Sequence, residues 1–298
     1  MVNSALARLQ GRSSAAKNPL KRLMHGDITQ RFARFSSVRK TYSVMQSIRQ
    51  YCSGELYPPE LNIAECSVFD WSSLTKHMEN MHRAGVSLGL QLPSQMVEEI
   101  QDYALHTPCR EPNYHRDFYI SEVHNGYLPD GHSVIRALVT DTPSKTCPAI
   151  AQLLSDPFLL TIVRNYLHYY PTEISWHLTW SIASPLPDEV IRQQYPPASF
   201  HYDIAGYNFM TAYFYITDVE ADSGPHVMIR DSRRDKPLKM LISGGRQSDE
   251  AVLGYYGKDK EMVITGSRGF GFVQDPSCFH KVKPPKTSHR LLLQVRYS

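Results

Sequence analysis

The chain has 298 residues, 42% hydrophobic, 11% aromatic and 20% charged, with a net charge of +3. This is globular composition with enough chain for a sizeable core, and no run approaches the ~18 uninterrupted apolar residues of a helical membrane span. Five scattered cysteines (Cys52, Cys66, Cys109, Cys147 and Cys278) form no CxxC pair, which argues against a disulfide framework or a zinc knuckle and fits a reducing compartment.

The charge is unevenly spread. Residues 1–50 hold ten Lys/Arg and one acid, Asp27, for +9; the other 248 residues hold 22 basic and 28 acidic residues, for −6. The basic leader lacks the apolar core of a secretory signal. Three readings are open for it: a loosely structured extension packed on its own acidic domain, an organelle transit peptide, or an arm for nucleic acid or another acidic partner. The matching localisation is cytoplasmic, or organellar if residues 1–50 are a transit peptide.

From Asp70 to Ala104 the pattern is mostly helical, with Trp71, Leu74, Met78, Met81 and His82 at helical spacing. A turn at Gly85 and a short strand to Leu90 interrupt it. Leu92-Pro93-Ser94 starts the next helix, which Ser94 should cap and whose apolar stripe is Met96, Val97, Ile100 and Leu105. Residues 150–170 are again helical, with Pro157 near the start of the second part. After Pro171 the segments 174–182, 209–216, 226–229, 262–265, 270–274 and 291–297 read as strands, β-branched and aromatic between Gly, Pro and Asp loops. Helices first, then a run of antiparallel strands, predicts a mainly β chain with supporting helices (α+β), a jelly roll rather than a βαβ fold. The expected organisation is a basic N-terminal extension over 1–69 and a folded domain over 70–298, with helical support at 70–170 and the jelly-roll core at 171–298.

Within Ser199-Phe200-His201-Tyr202-Asp203, strand alternation would project His201 and Asp203 from one face. Alone, His-x-Asp is common by chance. His280 lies 77 residues after Asp203, between two predicted strands, and Arg290 opens the apolar final strand ten residues later. Two histidines and one carboxylate on one face of a metal leave three positions open, the facial arrangement of non-haem Fe(II) oxygenases. A guanidinium beside such a site suits a dicarboxylate, because its rigid fork pairs a carboxylate bidentately.

These residues and their surroundings resemble the phytanoyl-CoA dioxygenase-like branch of the Fe(II)/2-oxoglutarate oxygenases. Phe200-His201-Tyr202-Asp203 is followed by an aromatic strand over 211–218, then by an acidic turn and Gly224-Pro225. Residues 265–270 are similar to the family's glycine turn before the strand that leads to the distal histidine, and Ala84-Gly85-Val86-Ser87 with Leu92-Pro93 to its opening segment. The resemblance spans roughly residues 80–298. It implies a double-stranded β-helix (jelly roll, cupin-like). His201, Asp203 and His280 would ligate Fe(II), and Arg290 would anchor the distal carboxylate of the co-substrate 2-oxoglutarate. It also implies a dioxygenase that uses O2 to hydroxylate, or otherwise oxidise at a C–H bond, a small-molecule substrate, releasing succinate and CO2. Asp203, which related halogenases replace by Gly or Ala, favours oxidation over halogenation. Two stretches depart from the family: residues 229–234 lack its glycine and histidine, and residues 281–285 replace a commoner Asn/Ser-bearing turn. The alternative is a non-catalytic jelly-roll protein that binds a metal or ligand.

Other motifs compete. Arg268-Gly269-Phe270-Gly271-Phe272-Val273 matches the first six positions of the RNP1 motif of RNA-recognition domains. Position eight is Asp275 rather than an aromatic, and Pro284 and Pro285 forbid the helix that fold requires, so nucleic acid is not an expected partner. Cys278, two residues before His280, invites a Cys/His nucleophile reading against the usual packing role of a buried cysteine. Trp180 and Ser181 are the expected substrate-lining positions, and Arg116, Tyr119, His124 and Arg136 are loop candidates for substrate contact. The remaining histidines, His177 and His226 the nearest, read as structural or exposed, and His289 should turn away from the face of Arg290.

Overall fold

The computed structural model describes residues 32–54, 67–140, 147–204, 206–242 and 246–298. Helix α1 (Ser36–Ser53) forms inside the basic leader, where composition predicts loose structure. Gly54 ends it in the left-handed conformation, φ 66°, donating back to the Tyr51 carbonyl. One face of α1 is tied to the body. Tyr42 stacks on Tyr207 with centroids 4.9 Å apart, the Asn208 amide donates to Ser43, and Gln50 exchanges two hydrogen bonds with the Tyr170 backbone. The transit-peptide reading falls mainly on residues 1–31, which lie outside the described residues, as does Cys66.

Helix α2 (Leu74–Ala84), strand β1 (Val86–Gln91) and helix α3 (Ser94–Leu105) follow the predicted spacing. Two details differ. Ser94 is the first helical residue and makes no capping bond; Pro93 holds the N-cap position. In the last turn Ala104 is buried and Leu105 is 42% exposed, because one step of about 100° carries Leu105 off the apolar face. Helices α4 (Pro148–Leu154) and α5 (Pro157–Leu167) form the next predicted stretch. Asp156 caps α5 through the Phe158 and Leu159 amides, and Pro157 takes the first helical position, where no N–H is needed.

Among the described residues, twelve strands form two antiparallel sheets. β2 (Cys109–Arg110), β3 (Arg136–Val139), β4 (Ile174–Ser181), β6 (Met210–Tyr215), β10 (Phe270–Gln274) and β12 (Arg290–Tyr297) join β1 in the order β1-β10-β6-β12-β4-β3-β2. β5 (Phe200–His201), β7 (His226–Ile229), β8 (Arg246–Gln247), β9 (Glu261–Ile264) and β11 (His280–Val282) form the second sheet, β8-β5-β11-β7-β9. Strands of two or three residues carry too little periodicity to be read from sequence, so β2, β5, β8 and β11 are absent from the predicted set; β3 is absent too, although β7 and β9, of the same four-residue length, are in it.

Alternation along the strands builds three layers. On β12, Leu291, Leu293, Val295 and Tyr297 join residues of α2–α5 in one core, while Leu292 packs into a second core between the sheets with Tyr213, Tyr215, Met228 and Phe272. Outside the smaller sheet, Phe200, Val227, Ile229 and Phe279 pack with α7 (Leu238–Ile242) and α8 (Asp249–Tyr256); α6 (Asp188–Gln194) lies between β4 and β5 in sequence. This is the α+β jelly roll the sequence predicts. Among the described residues no helix is long and apolar enough to cross a membrane.

The RNP1-like residues have a packing explanation. Gly269 has φ 87°, and a Cβ on Gly271 would lie 2.4 Å from the Phe214 ring. Phe272, which an RNA-binding sheet would expose for stacking, is fully buried. A Gly271→Ala substitution is therefore expected to overpack the sheet and lower stability by about 1–3 kcal/mol. Urea unfolding reads this as a lower midpoint at unchanged slope.

Candidate metal centre

β5 ends at His201, so Asp203 lies beyond the strand and the alternation argument for the pair does not hold. The two converge for another reason. The Asp203 N–H donates to the Pro276 carbonyl at 2.9 Å, fastening the loop after β5 to the turn before β11. His201 and His280 are direct partners across β5 and β11, with ring centroids 4.3 Å apart. His201 Nε2 stands 3.8 Å from Asp203 Oδ1, and His280 Nε2 stands 3.9 Å from Asp203 Oδ2. The three ligand atoms all lie within 4.8 Å of one another, and no fourth His, Cys, Asp or Glu joins them among the described residues.

Each histidine is oriented the same way. His201 Nδ1 donates to the Ser199 carbonyl and His280 Nδ1 to the Cys278 carbonyl, both at 2.9 Å. That fixes the tautomer and leaves each Nε2 lone pair facing the shared point. Burial, and secondly the neighbouring His201 ring, pushes the His280 imidazole below its ordinary range. Its ring is neutral at neutral pH, the form that ligates a metal. Cis ligands held at about 2.0–2.2 Å from a metal stand about 3 Å apart, so a small inward movement of these side chains fits an ion.

The turn behind the ligands is built on a buried ion pair. Asp275 is 1% exposed. It accepts from Arg39 of α1 at 3.2 and 3.3 Å, from the Tyr166 hydroxyl at 2.5 Å and from the Ser277 N–H at 2.9 Å. Arg39 also donates to the Ser277 hydroxyl. Lys236 donates to the Ser232 and Ser277 carbonyls, and the Phe279 N–H donates to the Ser232 hydroxyl. Burial alone would raise the Asp275 carboxyl, but Arg39, Ser277 and Tyr166 outweigh it and hold it at about 2. The segment 229–234 that departs from the family pattern has its own role here: Arg233 donates to the Met81 and His82 carbonyls and Arg234 to that of His82, satisfying the open end of α2.

Arg290 is 2% exposed and faces the space between the sheets. It donates through Nη1 to the Gly224 carbonyl and through Nη2 to the Ser181 hydroxyl at 2.9 Å, while its buried Nε has no partner. No acidic side chain pairs with it among the described residues. Of the two expected lining positions, Ser181 thus meets Arg290, whereas Trp180 shares the phase of Leu178 and packs into the core on the helix side. His289 turns aside and accepts from the Ala183 N–H through Nδ1 at 3.0 Å. Cys278 is buried and its thiol is pushed up to about 11, the reverse of an activated nucleophile. Of the loop candidates, Arg116 pairs with Glu122 at 3.1 Å, Tyr119 is 45% exposed, and Arg136 sits opposite Ser181 with its guanidinium over the Tyr195 ring.

Two further residues lie beside the cluster: His226, which the sequence reading set among the structural or exposed histidines, and Gln274, which it did not single out. His226 is 2% exposed, and its ring stacks on His280 at 5.3 Å and 17°. Gln274, fully buried, lies next to it. Strand phase was the available signal: His226 alternates with Met228 and Gln274 with Phe272, both inward residues.

No family model and no curated protein matches the chain. Among solved structures it is similar to the non-heme α-ketoglutarate-dependent epimerase SnoN from nogalamycin biosynthesis, at 13% identity and a TM-score of 0.54 over 76% of this chain and 84% of SnoN. SnoN in complex with Fe3+, α-ketoglutarate and nogalamycin RO gives 12% identity and a TM-score of 0.51 over the same shares. HygX from Streptomyces hygroscopicus, with nickel and 2-oxoglutarate bound, gives 15% identity and a TM-score of 0.48 over 75% of this chain and 86% of its own. At such identities the likeness to SnoN establishes a shared fold, the helix-supported jelly roll.

Two outcomes are expected at the turn. Asp275 titrates lower in the folded chain than its ordinary 3.8. Its stabilising effect is therefore complete above about pH 4 and is lost as the pH falls through about 2, an effect of about 2–3 kcal/mol. Urea melts at pH 5 and pH 2.5 should show it in the wild type and show much less of it in Arg39→Ala. At neutral pH, Arg39→Ala leaves a buried carboxylate without its cation and should cost about 3–5 kcal/mol. Equilibrium unfolding checks this, and Arg39→Lys should recover part.

Proposed function

We propose that this chain is a non-haem Fe(II)- and 2-oxoglutarate-dependent dioxygenase that hydroxylates, or otherwise oxidises at a C–H bond, a small organic substrate. His201, Asp203 and His280 would hold the iron, and Arg290 would receive the distal carboxylate of 2-oxoglutarate. The observation that carries this reading is Arg290, a buried guanidinium with no acid and one unpartnered N–H, on the same interior as the three-ligand cluster. A buried cation without a counter-charge is costly, and a carboxylate ligand removes that cost.

The chemistry such a centre supplies is oxidation of C–H to C–OH by O2, coupled to conversion of 2-oxoglutarate into succinate and CO2. The chain's part is positional. The Ser199 and Cys278 carbonyls aim the two imidazoles, and the Pro276 carbonyl sets Asp203. Ser181 and the Gly224 carbonyl aim the Arg290 fork. Tyr213, Tyr215 and Phe272 fill the barrel beside it and exclude water. Similarity to SnoN, an enzyme described as α-ketoglutarate-dependent, is consistent with this use of the fold. A non-catalytic structural zinc site is disfavoured, because such sites normally close with four protein ligands and three cluster here.

Anaerobic titration with Fe(II) and 2-oxoglutarate is the direct test. A weak visible charge-transfer band should appear in the wild type, vanish in His201→Ala, and in Arg290→Met require about tenfold or more 2-oxoglutarate. Tightly retained zinc with no response to 2-oxoglutarate would refute the proposal. Succinate release coupled to a product that has gained one oxygen separates C–H hydroxylation from an epimerase outcome.

A further inference from the structure

The inward face of the larger sheet is polar at both ends and differs sharply between them. Strand pairing sets its rows. Arg290 faces Ser181, Leu292 lies between Tyr215 and Thr179, Gln294 between Tyr213 and His177, and Arg296 between Thr211 and Ser175. Gln274 lies across from Thr211 on the other side. Burial changes along these rows. Arg290, Leu292, Ser181 and Thr179 are buried, Gln294, Arg296 and Ser175 are half-buried, and His177 is exposed. The interior is therefore closed at Arg290, whereas at Arg296 it is closed on the side of Thr211 and Gln274 and partly open on the side of Ser175 and His177.

Arg296 has the features of a receiving group. Its guanidinium lies 5.3 Å over the Phe209 ring, its Nε is buried without a partner, and it makes no hydrogen bond or ion pair among the described residues. A guanidinium stacked by its face keeps its edge donors free for a bidentate anion. Arg296 is paired with Thr211, one inward row from Tyr213, whose ring lies 5.1 Å from His226, and His226 in turn stacks on the ligand His280, so this end of the strand is linked to the cluster through inward side chains. Gln274, fully buried in the same row, lies beside His226 and adds a second inward polar group. Six residues of strand separate Arg290 from Arg296, about 20 Å. A five-carbon diacid held at Arg290 cannot reach the second arginine.

We infer that the substrate itself is anionic and that Arg296 receives its carboxylate or phosphate group at the partly open end of the barrel. This rests on the reading of the cluster as an iron and 2-oxoglutarate site, and it adds the substrate's chemical class. Anaerobic protein loaded with Fe(II) and 2-oxoglutarate is titrated with matched small molecules: carboxylic acids against their primary amides, and phosphate monoesters against their parent alcohols. Perturbation of the visible band reports binding near the metal. Members of the anionic set should bind at least about tenfold tighter than their neutral partners. Arg296→Gln should abolish that preference while leaving 2-oxoglutarate affinity and thermal stability unchanged, and Arg296→Lys should keep part of it. Equal binding of neutral partners, a preference that survives Arg296→Gln, or no anion binding with the 2-oxoglutarate band intact would each overturn the inference. If the wild type shows no such band, the co-substrate reading fails instead, and calorimetry with the same pairs on wild type and Arg296→Gln still decides the anion site.

Discussion

The arrangement of the candidate centre depends on keeping one carboxylate, Asp275, charged and out of water. Arg39 supplies the counter-charge, and Tyr166 and Ser277 supply hydrogen bonds. These contacts hold the turn over 275–279 in one shape. Two carbonyls of that turn then act on the ligands: Pro276 fixes the backbone of Asp203, and Cys278 fixes the ring of His280. Two ligands from distant parts of the chain thus share one support. The same helix also holds the far end of the Asp203 loop, through Tyr42 on Tyr207 and Ser43 on Asn208. An element outside the jelly roll therefore bears on both segments that define the centre.

This changes the meaning of the charge asymmetry. The leader's +9 looks like an attribute of a separable tail, since ten basic residues in 50 stand against one acid. Arg39 is one of those ten, and it is a half-buried member of the body's polar network. Arg34 donates to the Leu241 carbonyl of α7, so a second leader cation is also tied to the body. Net charge by segment cannot separate a solvated cation from one consumed by an internal carboxylate.

Much of the architecture was legible because long strands and helices repeat their pattern. β12 spells out its two faces in Leu291, Leu293, Val295 and Tyr297 against Arg290, Leu292, Gln294 and Arg296, and β4 does so in its buried half. The three-residue cluster was legible by residue type and order, yet the local reason given for it fails: Asp203 is off the strand, and a long-range hydrogen bond does what alternation was expected to do. Trp180 shows that strand phase matters more than residue type, since pairing of Ser181 with Arg290 settles which of the two neighbours faces inward. Asp275 and Arg39 could not be paired from sequence. They are 236 residues apart, and neither lies in a motif.

A packing criterion separates the RNP1-like motif, already set aside on sequence, from the inward polar residues. The glycines and phenylalanines at 269–272 are fully accounted for by backbone conformation and by contact with Phe214 and Tyr213. The inward polar residues are the opposite case. Arg290 Nε and Arg296 Nε are buried between the sheets without partners, whereas folded chains pair almost all such atoms. Interior apolar packing there stops at Leu292 and Phe272 and gives way to these groups. These side chains lie on the larger sheet, across the interior from His201 and His280 on the smaller one, so the unpaired cations and the three-residue cluster share one interior.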